Sequence, residues 1–374
     1  MTSVGIAGGG IGGLAAAIAL ARQGADVVVF EQASRFTRVG ADVNLTPNAV
    51  RALDGLGVGA DLRATAARPA YRISRTWDTG EETSRLPMSD AAEHRYGAPQ
   101  LTIHRADVLA ALQRALPEGV LRLGFQVVDV RQDGSKVVVT FDDGSTETVD
   151  VLVGADGIHS AVRTALFGPE HPEFTGVVAY RAVVSVARLD DSATNLDAFT
   201  KWWGPDPQTQ IVTFPLNQGE DMFIFATTPQ ASWREESWTC PGDVGELRAM
   251  YSSFHSEARS FLDACDEVLK SALYVRDPLA AWSRGSTTLL GDACHPMMPF
   301  MAQGAGQAIE DAVVLARCLT EGTGTLEDRL QSYQRARIDR TARIQRGSRE
   351  NSWLKDGGNA DWVYGYDAWD VALR

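Results

Sequence analysis

The first thirty positions combine short apolar runs with a helical repeat. Residues 4–7 form a mostly apolar run, residues 8–13 are mostly glycine, and apolar residues then recur at helical spacing over 14–23. A second apolar run at 27–30 has the length of a buried strand. This order predicts a βαβ unit over residues 3–31, in which a right-handed crossover makes the two strands parallel.

The middle of the chain has a different pattern. Residues 172–275 contain strand-like runs separated by turns rich in proline, glycine and aspartate. These runs lie at 177–187, 211–215 and 222–226. They predict an antiparallel sheet. Helical spacing returns at 303–319 and 326–346, before an aromatic-rich C-terminal end.

Composition and charge narrow the function classes. The 374 residues include 44% apolar and 22% charged residues, which is typical of a compact globular protein. The net charge of −13 disfavours binding to nucleic acid or to an anionic lipid surface. Because we find neither a signal peptide nor an apolar run long enough to cross a bilayer, we expect a cytoplasmic protein without a membrane segment. Four cysteines without a Cys-x-x-Cys pair predict reduced thiols and no metal site.

The glycine-rich segment predicts a dinucleotide site. The spacing Gly8-x-Gly10-x-x-Gly13 allows a sharp strand-to-helix turn and a close approach of the backbone to a pyrophosphate. The free N–H groups at the start of the following helix then face the phosphates. Glu31 ends the second predicted strand 18 positions after Gly13, where a carboxylate accepts hydrogen bonds from ribose hydroxyls. Both FAD and NAD fit this part of the sequence.

Two later segments favour FAD. An apolar strand at 151–154 leads to Asp156-Gly157, and another at 288–290 leads to Gly291-Asp292. The second is followed at 297–306 by the start of a helix, whose positive end suits an electron-rich ring. Two additional strand-end sites exceed what one nicotinamide cofactor needs.

These three motifs together resemble the single-component, FAD-dependent aromatic-ring monooxygenases that share the para-hydroxybenzoate hydroxylase fold. Within that family the sequence is most similar to 6-hydroxynicotinate 3-monooxygenase and salicylate hydroxylase-like enzymes. The resemblance covers essentially the whole chain. The stretches that carry it are 102–105, 154–160, 201–203, 291–297 and 362–367.

The resemblance implies an α/β fold. A Rossmann-like FAD-binding domain is interleaved with an antiparallel β-sheet substrate domain, and C-terminal helices follow. The predicted FAD-binding domain is discontinuous and comprises 1–75, 100–171 and 276–325. The predicted substrate domain comprises 76–99 and 172–275, and the helical, aromatic tail covers 326–374.

The resemblance also implies a set of FAD-binding residues. These are Gly8, Gly10, Ile11, Gly12, Gly13, Glu31, Gln32, Arg105, Val127, Asp156, Asp292, Gly304 and Ala305. Gly10, Gly12 and Gly13 would take the pyrophosphate, and Glu31 the adenosine ribose. Arg105 would reach the phosphates or the ribityl chain, and Asp292 the ribityl hydroxyls. The helix start at Gly304 and Ala305 would face the N1/O2 edge of the flavin and stabilise its anionic reduced form.

The activity implied by the resemblance is hydroxylation of a small aromatic or heteroaromatic carboxylate that carries a hydroxyl or amino group. NADH or NADPH reduces FAD, O2 adds at C4a, and the resulting hydroperoxide attacks the ring. The partners are therefore the aromatic substrate and dioxygen, and we expect a monomer or homodimer. Two alternatives are an FAD-dependent reductase or dehydrogenase that inserts no oxygen and a non-catalytic nucleotide sensor. The helix start after 297–303 argues against the sensor.

The catalytic candidates are Asn44, Arg181, Thr213, Pro299 and Phe300. In the hydroxynicotinate enzymes, histidines occupy the segments that match 43–48 and 298–300, where this chain has Asn44 and Phe300. A tyrosine of a relative maps near Thr213 or Phe214. Because loss of a general base costs ~10² to 10⁴ in rate, we predict that 6-hydroxynicotinate is not the preferred substrate. Arg181 is predicted to lie over the flavin, to hold a substrate carboxylate, or to form a structural salt bridge.

Overall fold

The computed structural model describes residues 2–37, 42–235 and 240–373. Its strands are β1 Ser3–Ala7, β2 Asp26–Glu31, β3 Asp42–Leu45, β4 Tyr71–Thr76, β5 Glu82–Pro87, β6 Leu101–His104, β7 Leu121–Leu123, β8 Val127–Asp133, β9 Lys136–Phe141, β10 Thr146–Val149, β11 Val151–Gly154, β12 Glu173–Ser185, β13 Ala198–Trp203, β14 Gln210–Leu216, β15 Asp221–Pro229, β16 Cys240–Pro241, β17 Leu269–Val275, β18 Ser283–Arg284 and β19 Thr287–Leu289. Its α-helices are α1 Ile11–Arg22, α2 Pro47–Gly55, α3 Gly59–Arg63, α4 Asp90–Tyr96, α5 Arg105–Ala115, α6 Ala161–Phe167, α7 Val244–Met250, α8 Ser256–Asp263, α9 Gly304–Glu321, α10 Leu326–Glu350 and α11 Asp361–Tyr364.

A mainly parallel sheet contains the glycine-rich turn. Its strand order among the described residues is β18-β19-β11-β1-β2-β7. β1 pairs in parallel with β2 on one side and with β11 on the other, and α1 makes the crossover between β1 and β2. The predicted βαβ unit over 3–31 is confirmed. The central positions of its strands are apolar because helices or further strands cover both faces of the sheet.

A second, larger sheet has the order β16-β17-β12-β15-β14-β13-β4-β5. All of its pairings are antiparallel except that of β13 with β4. Side chains alternate between its faces, so one face packs under α7 and α8. The other face packs against Met298 and Phe300, which precede α9. We call this second face the cleft face, because it lies toward the parallel-sheet unit. The predicted antiparallel sheet and the mixed α/β fold class are confirmed.

The domain limits remain a prediction, but one of them can be located. β4 covers Tyr71–Thr76 and pairs with β13 in the large sheet. The limit predicted at residue 75 therefore falls inside a strand of that sheet. Apart from its local hairpin partner β5, β4 pairs with β13, which is more than 120 residues away in sequence, so no local pattern indicates which sheet the hairpin joins.

Buried ion pairs join α9 to α10. The Arg337 guanidinium lies 2.7 Å from Glu310 Oε2 and 2.7 Å from Asp311 Oδ1, and all three side chains are fully buried. Arg340 adds a 2.9 Å contact to Glu310. Burial alone would raise the pKa of Glu310, but Arg340 and Arg337 together hold it below its usual value. This network fixes α9, whose first turn lies at the edge of the parallel sheet.

No helix within residues 2–37, 42–235 and 240–373 combines the length and the apolar character that crossing a membrane requires.

Candidate active site

The three sequence motifs meet at one edge of the parallel sheet. β2, β1, β11 and β19 are neighbours, and each pairs in parallel with the next. Their carboxyl ends therefore lie side by side. Glu31, Gly8, Asp156 and Asp292 stand at or just after these ends. In open α/β sheets this edge is where ligands bind.

Three glycines at the turn between β1 and α1 cannot carry a side chain, each because a different group lies too close. Gly8 has a φ of +102°, and a Cβ there would lie 2.4 Å from the carbonyl oxygen of Ala155. A Cβ on Gly13 would lie 2.0 Å from the carbonyl oxygen of Gly8, and one on Gly12 2.6 Å from Leu290 Cδ2. Gly8, Gly12 and Gly13 are thus required for close packing.

Gly10 differs from the other glycines of the turn. A Cβ on Gly10 would meet no atom of the described residues within 4 Å. Gly10 is the residue before α1, and no side chain caps this helix. The first N–H groups of α1 lack partners within the helix and face this open space. The site fits a pyrophosphate, because an anion is stabilised there by free N–H groups and the helix dipole.

We predict that Gly13→Val lowers the stability of the protein, whereas Gly10→Val lowers its affinity for FAD. Gly13→Val collides with backbone and should lower the free energy of unfolding by about 3 kcal/mol. Gly10→Val projects into open space and should leave the thermal unfolding of the apoprotein unchanged while weakening FAD binding at least about tenfold. Calorimetry of the apoproteins and FAD titration measure the two effects. Wild-type FAD affinity in Gly10→Val would show that the cofactor does not lie there.

Glu31 connects β2 to the glycine turn. Its carboxylate accepts hydrogen bonds from the N–H of Gly9 at 2.7 Å and of Ala33 at 2.8 Å. Gln32 is exposed beside it. Val127 is buried at the first residue of β8, opposite Phe141. All of these predicted cofactor residues lie at the β2 side of the cleft.

The two motif aspartates have different environments. Asp156 accepts hydrogen bonds from Ser160 Oγ at 2.5 Å and from the Val162 N–H at 3.2 Å, so it braces the start of α6. Asp292 is exposed and has no hydrogen bond to another residue of the described ranges. The protein around the Asp292 carboxyl nevertheless raises its pKa by desolvation, which His295 and Arg105 oppose. This combination is typical of a side chain that points into a cleft.

The start of α9 forms the next part of the site. A Cβ on Gly304, its first residue, would meet no atom within 4 Å, and Ala305 is partly exposed. No side chain caps this 18-residue helix. Its first N–H groups are therefore available to a ligand, and its positive end suits a ring edge that gains negative charge. Gly12 of α1 packs closely against Ala308 of α9, so the two helix starts are neighbours.

A polar network that the sequence did not predict fixes this helix start. Gln303 precedes α9, is fully buried, and donates to Thr46 Oγ1 at 2.8 Å. Asn48 donates to Gln303 Oε1 at 3.1 Å and to Glu310 Oε1 at 2.6 Å. The approach of α2 to α9 is thereby fixed by side chains more than 250 residues apart.

Charged groups stand on both sides of the cleft. Arg181 projects from the cleft face of the large sheet, donates to Ser271 Oγ at 2.5 Å, and has its guanidinium carbon 5.3 Å from the Phe225 ring centre. Burial lowers the pKa of Arg181 to about 10, which Asp42 opposes. Burial raises the pKa of Asp42 to about 6, although Arg181 and Arg105 pull it down. Asp42 begins β3 and is a cleft residue that the sequence analysis missed.

Three catalytic candidates border unpaired polar atoms or the helix start. Asn44 is buried and accepts a 2.8 Å hydrogen bond from Gln100 Nε2. Asn44 Nδ2 and Gln100 Oε1 are both buried without a partner among the described residues. Such orphaned atoms indicate a polar ligand group. Pro299 and Phe300 form a 3₁₀ turn just before α9. Pro299 is exposed, and Phe300 packs against the cleft face of the large sheet.

The structure does not bring Thr213 to the cleft. Val212 and Phe214 of β14 belong to the cleft face, so Thr213 between them points to the opposite face. The cleft residue of this pair is Phe214. Trp202 of β13 also points away from the cleft and packs against Phe261, with 5.9 Å between the ring centres. Lys201 is the cleft residue there.

Cys294, His295 and Asp311 form a buried group of potential metal ligands. Asp311 Oδ2 already contacts His295 Nε2 at 2.5 Å and accepts from the Gly291 N–H at 3.1 Å. Asp311 Oδ1 accepts from Arg337. The acceptors are therefore used within the network that joins α9 to α10, and we assign His295 a structural role behind the site.

Comparison with known proteins agrees with this geometry. A family model described as an FAD binding domain matches residues 1–348. The 6-hydroxynicotinate 3-monooxygenases of Pseudomonas fluorescens and Bordetella bronchiseptica are 38% and 40% identical to the chain, and each alignment covers 99% of this chain and 96% of the relative. A salicylate hydroxylase solved as a substrate complex superposes with a TM-score of 0.85 at 27% identity, covering 98% of this chain and 96% of that one. The chain therefore belongs to the FAD-binding-domain family, and it is an FAD-dependent monooxygenase of the aromatic hydroxylase type.

Proposed function

We propose that this monooxygenase hydroxylates a small aromatic or heteroaromatic carboxylate bearing a hydroxyl or amino group, with NADH or NADPH and O2 as co-substrates. The observation that carries this proposal is the approach of the α9 start to the cleft face of the large sheet, against which Met298 and Phe300 pack. One wall offers free helix N–H groups and exposed charged groups, and the other offers aromatic rings. A planar, electron-rich substrate suits the space between them.

Several residues would hold FAD at this cleft. The turn at Gly10 and the start of α1 would take the pyrophosphate, and Glu31 the adenosine ribose. Arg105 and Asp292 would contact the connecting chain. When bound, FAD supplies electron transfer from the nicotinamide and activation of O2. The start of α9 at Gly304 would place its positive end at the ring edge and stabilise negative charge there.

The opposite wall would position the substrate ring and exclude water. Phe199 and Phe214 are stacked 5.3 Å apart with an interplanar angle of 4°, and Phe223 lies 5.0 Å beyond. Phe300 closes the same apolar cluster. Exclusion of water protects a reactive intermediate and strengthens the hydrogen bonds that orient the ring. The unpaired Nδ2 of Asn44 supports a role as a donor to a substrate or flavin oxygen.

The proposal includes a substrate preference that differs from the relatives' names. Neither Asn44 nor Phe300 accepts a proton at neutral pH, and Thr213 points away from the cleft. A preferred substrate should therefore ionise readily by itself, be activated by an amino group, or lose its proton to another residue of the cleft, such as Asp42, whose pKa is raised by burial to about 6. 6-Hydroxynicotinate is predicted to be turned over with a kcat/KM about 10² lower than the best amino- or hydroxy-substituted acid.

A substrate screen tests this preference. Substituted benzoates and pyridine carboxylates are compared by substrate-stimulated NADH and NADPH oxidation, with mass spectrometry of the product. A product one oxygen heavier separates hydroxylation from uncoupled oxidation. Efficient and well-coupled turnover of 6-hydroxynicotinate would refute the predicted preference, but it would leave the hydroxylase activity in place.

A further inference from the structure

Two cations are buried side by side on the cleft face of the large sheet. Arg72 on β4 is 5% exposed, and Lys201 on β13 is 3% exposed. In the register of these parallel strands, Arg72 pairs with Phe199 and Lys201 with Ser74, which makes the two cations diagonal neighbours. Neither contacts a carboxylate within residues 2–37, 42–235 and 240–373.

Aromatic rings and one amide surround the pair instead. Lys201 Nζ donates to Asn351 Oδ1 at 2.7 Å and lies 3.4 Å from the ring centre of Trp203. It also lies 5.6 Å from the ring centre of Phe300. The Arg72 guanidinium carbon lies 4.6 Å from the ring centre of Phe199, and its Nη1 is buried without a hydrogen bond of standard geometry to the described residues. The buried Tyr364 phenol lies close to Arg72, which opposes the rise that burial causes in the Tyr364 pKa.

Arg72 also lines a cavity of about 210 Å³. This cavity lies between the β4–β5 hairpin and the segment 354–358, with Ser74 and Arg85 in its wall. The pair therefore extends from this cavity to Phe300 in the candidate active site. The Arg72–Lys201 pair thus places an anion-attracting group beside Phe199 and Phe300, which belong to the aromatic side of the candidate active site.

A buried charge without a counter-charge is costly. The effective penalty is several kcal/mol per ion, and a retained charge of this kind normally meets a partner. An arginine cannot lose its charge, whereas a lysine can. Burial, together with Arg72 and Lys355, lowers the pKa of Lys201 well below its ordinary value. The ligand-free site is thus short of negative charge, and a bound anion would raise the lowered pKa of Lys201 and favour its protonated form.

We propose that Arg72 and Lys201 form the anion subsite of the substrate pocket and bind the carboxylate of an aromatic acid whose ring packs against Phe199 and Phe300. Arginine suits this role because its planar fork matches a carboxylate. Arg181, the other cation of the cleft, is already opposed by Asp42 and bonded to Ser271. The inference rests on the proposed function and names the group that this pocket recognises.

The first test uses the unmodified holoenzyme. Flavin fluorescence is titrated with aromatic acids and with their carboxamides, which keep the ring but lose the charge. The acids should bind about 10- to 150-fold more tightly, as expected for charge-assisted hydrogen bonds. Binding of the acid, but not of the amide, should take up protons from a weakly buffered solution at pH values near the lowered pKa of Lys201, and repeating the titration over a pH series locates this range. Equal affinities without proton uptake would overturn the proposal.

The second test uses Lys201→Met and Arg72→Met. Each replaces a buried cationic side chain that contacts no carboxylate among the described residues, so we expect both variants to fold and retain FAD. Each should weaken acid binding about 10- to 150-fold and leave amide binding unchanged, and Lys201→Met should abolish proton uptake. Arg85→Gln is the matched control. Arg85 lines the same cavity but is paired with Glu82 at 2.7 Å, so its removal should change acid binding little.

The outcomes separate this inference from the proposed function. If the variants lose acid and amide binding equally, or if Arg85→Gln has the larger effect, the pair is not the anion subsite. If acids and amides are hydroxylated equally well, the subsite fails and the hydroxylase function stands. If no aromatic compound is hydroxylated, both are wrong.

Discussion

Arg337→Met is expected to lower the free energy of unfolding by about 3 to 5 kcal/mol. The side chain is fully buried and lies 2.7 Å from both Glu310 and Asp311. Its removal leaves two buried carboxylates with fewer compensating charges. Denaturant unfolding at neutral pH measures the loss. Because α9 is held through the same contacts, FAD affinity should fall as well.

The control for this prediction is Arg349→Met. Arg349 pairs with Asp277 at 2.8 Å on the surface of the same helix, where an ion pair contributes about 0 to 1 kcal/mol. A loss in Arg337→Met no larger than in this control would contradict the account. The pH dependence has a defined sign. Because the pKa values of Glu310 and Asp311 are held below their ordinary values, the stabilisation is present at neutral pH and is lost as the pH falls through these lowered values.

Asp292→Ala is expected to purify without FAD. The carboxylate points into the cleft and has no hydrogen bond to the described protein, so its loss should cost ligand contacts and little stability. Loss of charge-assisted hydrogen bonds to a cofactor hydroxyl should weaken binding about 10- to 150-fold. Retained flavin after gel filtration, and FAD titration of the apoprotein, measure the effect.

Asp156→Ala provides a contrasting variant at the neighbouring strand end. Its carboxylate is bonded to Ser160 and Val162, so the substitution should destabilise the start of α6. We expect a lower unfolding temperature in Asp156→Ala and an unchanged one in Asp292→Ala. An Asp292→Ala protein that purifies fully yellow and active would refute the cofactor role of Asp292.

The parallel-sheet unit could be predicted because its signals are local. The turn at Gly8 to Gly13 requires glycine for steric reasons that act within a few residues. The strand ends at Asp156 and Asp292 follow apolar runs that are visible in the sequence. Parallel strands bring their carboxyl ends to one edge, so these local signals were sufficient to predict a common site.

The cleft wall on the large sheet could not be predicted in the same way. β14 is buried on both faces, so no alternation of polar and apolar residues indicated that Phe214 rather than Thr213 faces the cleft. Arg72 and Lys201 become neighbours only because β4 pairs with β13. Asp42 became a candidate only when the structure placed it opposite Arg181. Each of these positions depends on pairing between distant segments.

Isotope labelling of the product tests the central claim most directly. The purified holoenzyme is supplied with NADH or NADPH, an aromatic acid selected by the screen, and ¹⁸O₂. The account predicts one ¹⁸O atom per molecule of hydroxylated product. Oxidation of the nicotinamide with every acid tested but without any ¹⁸O in an aromatic product would contradict it.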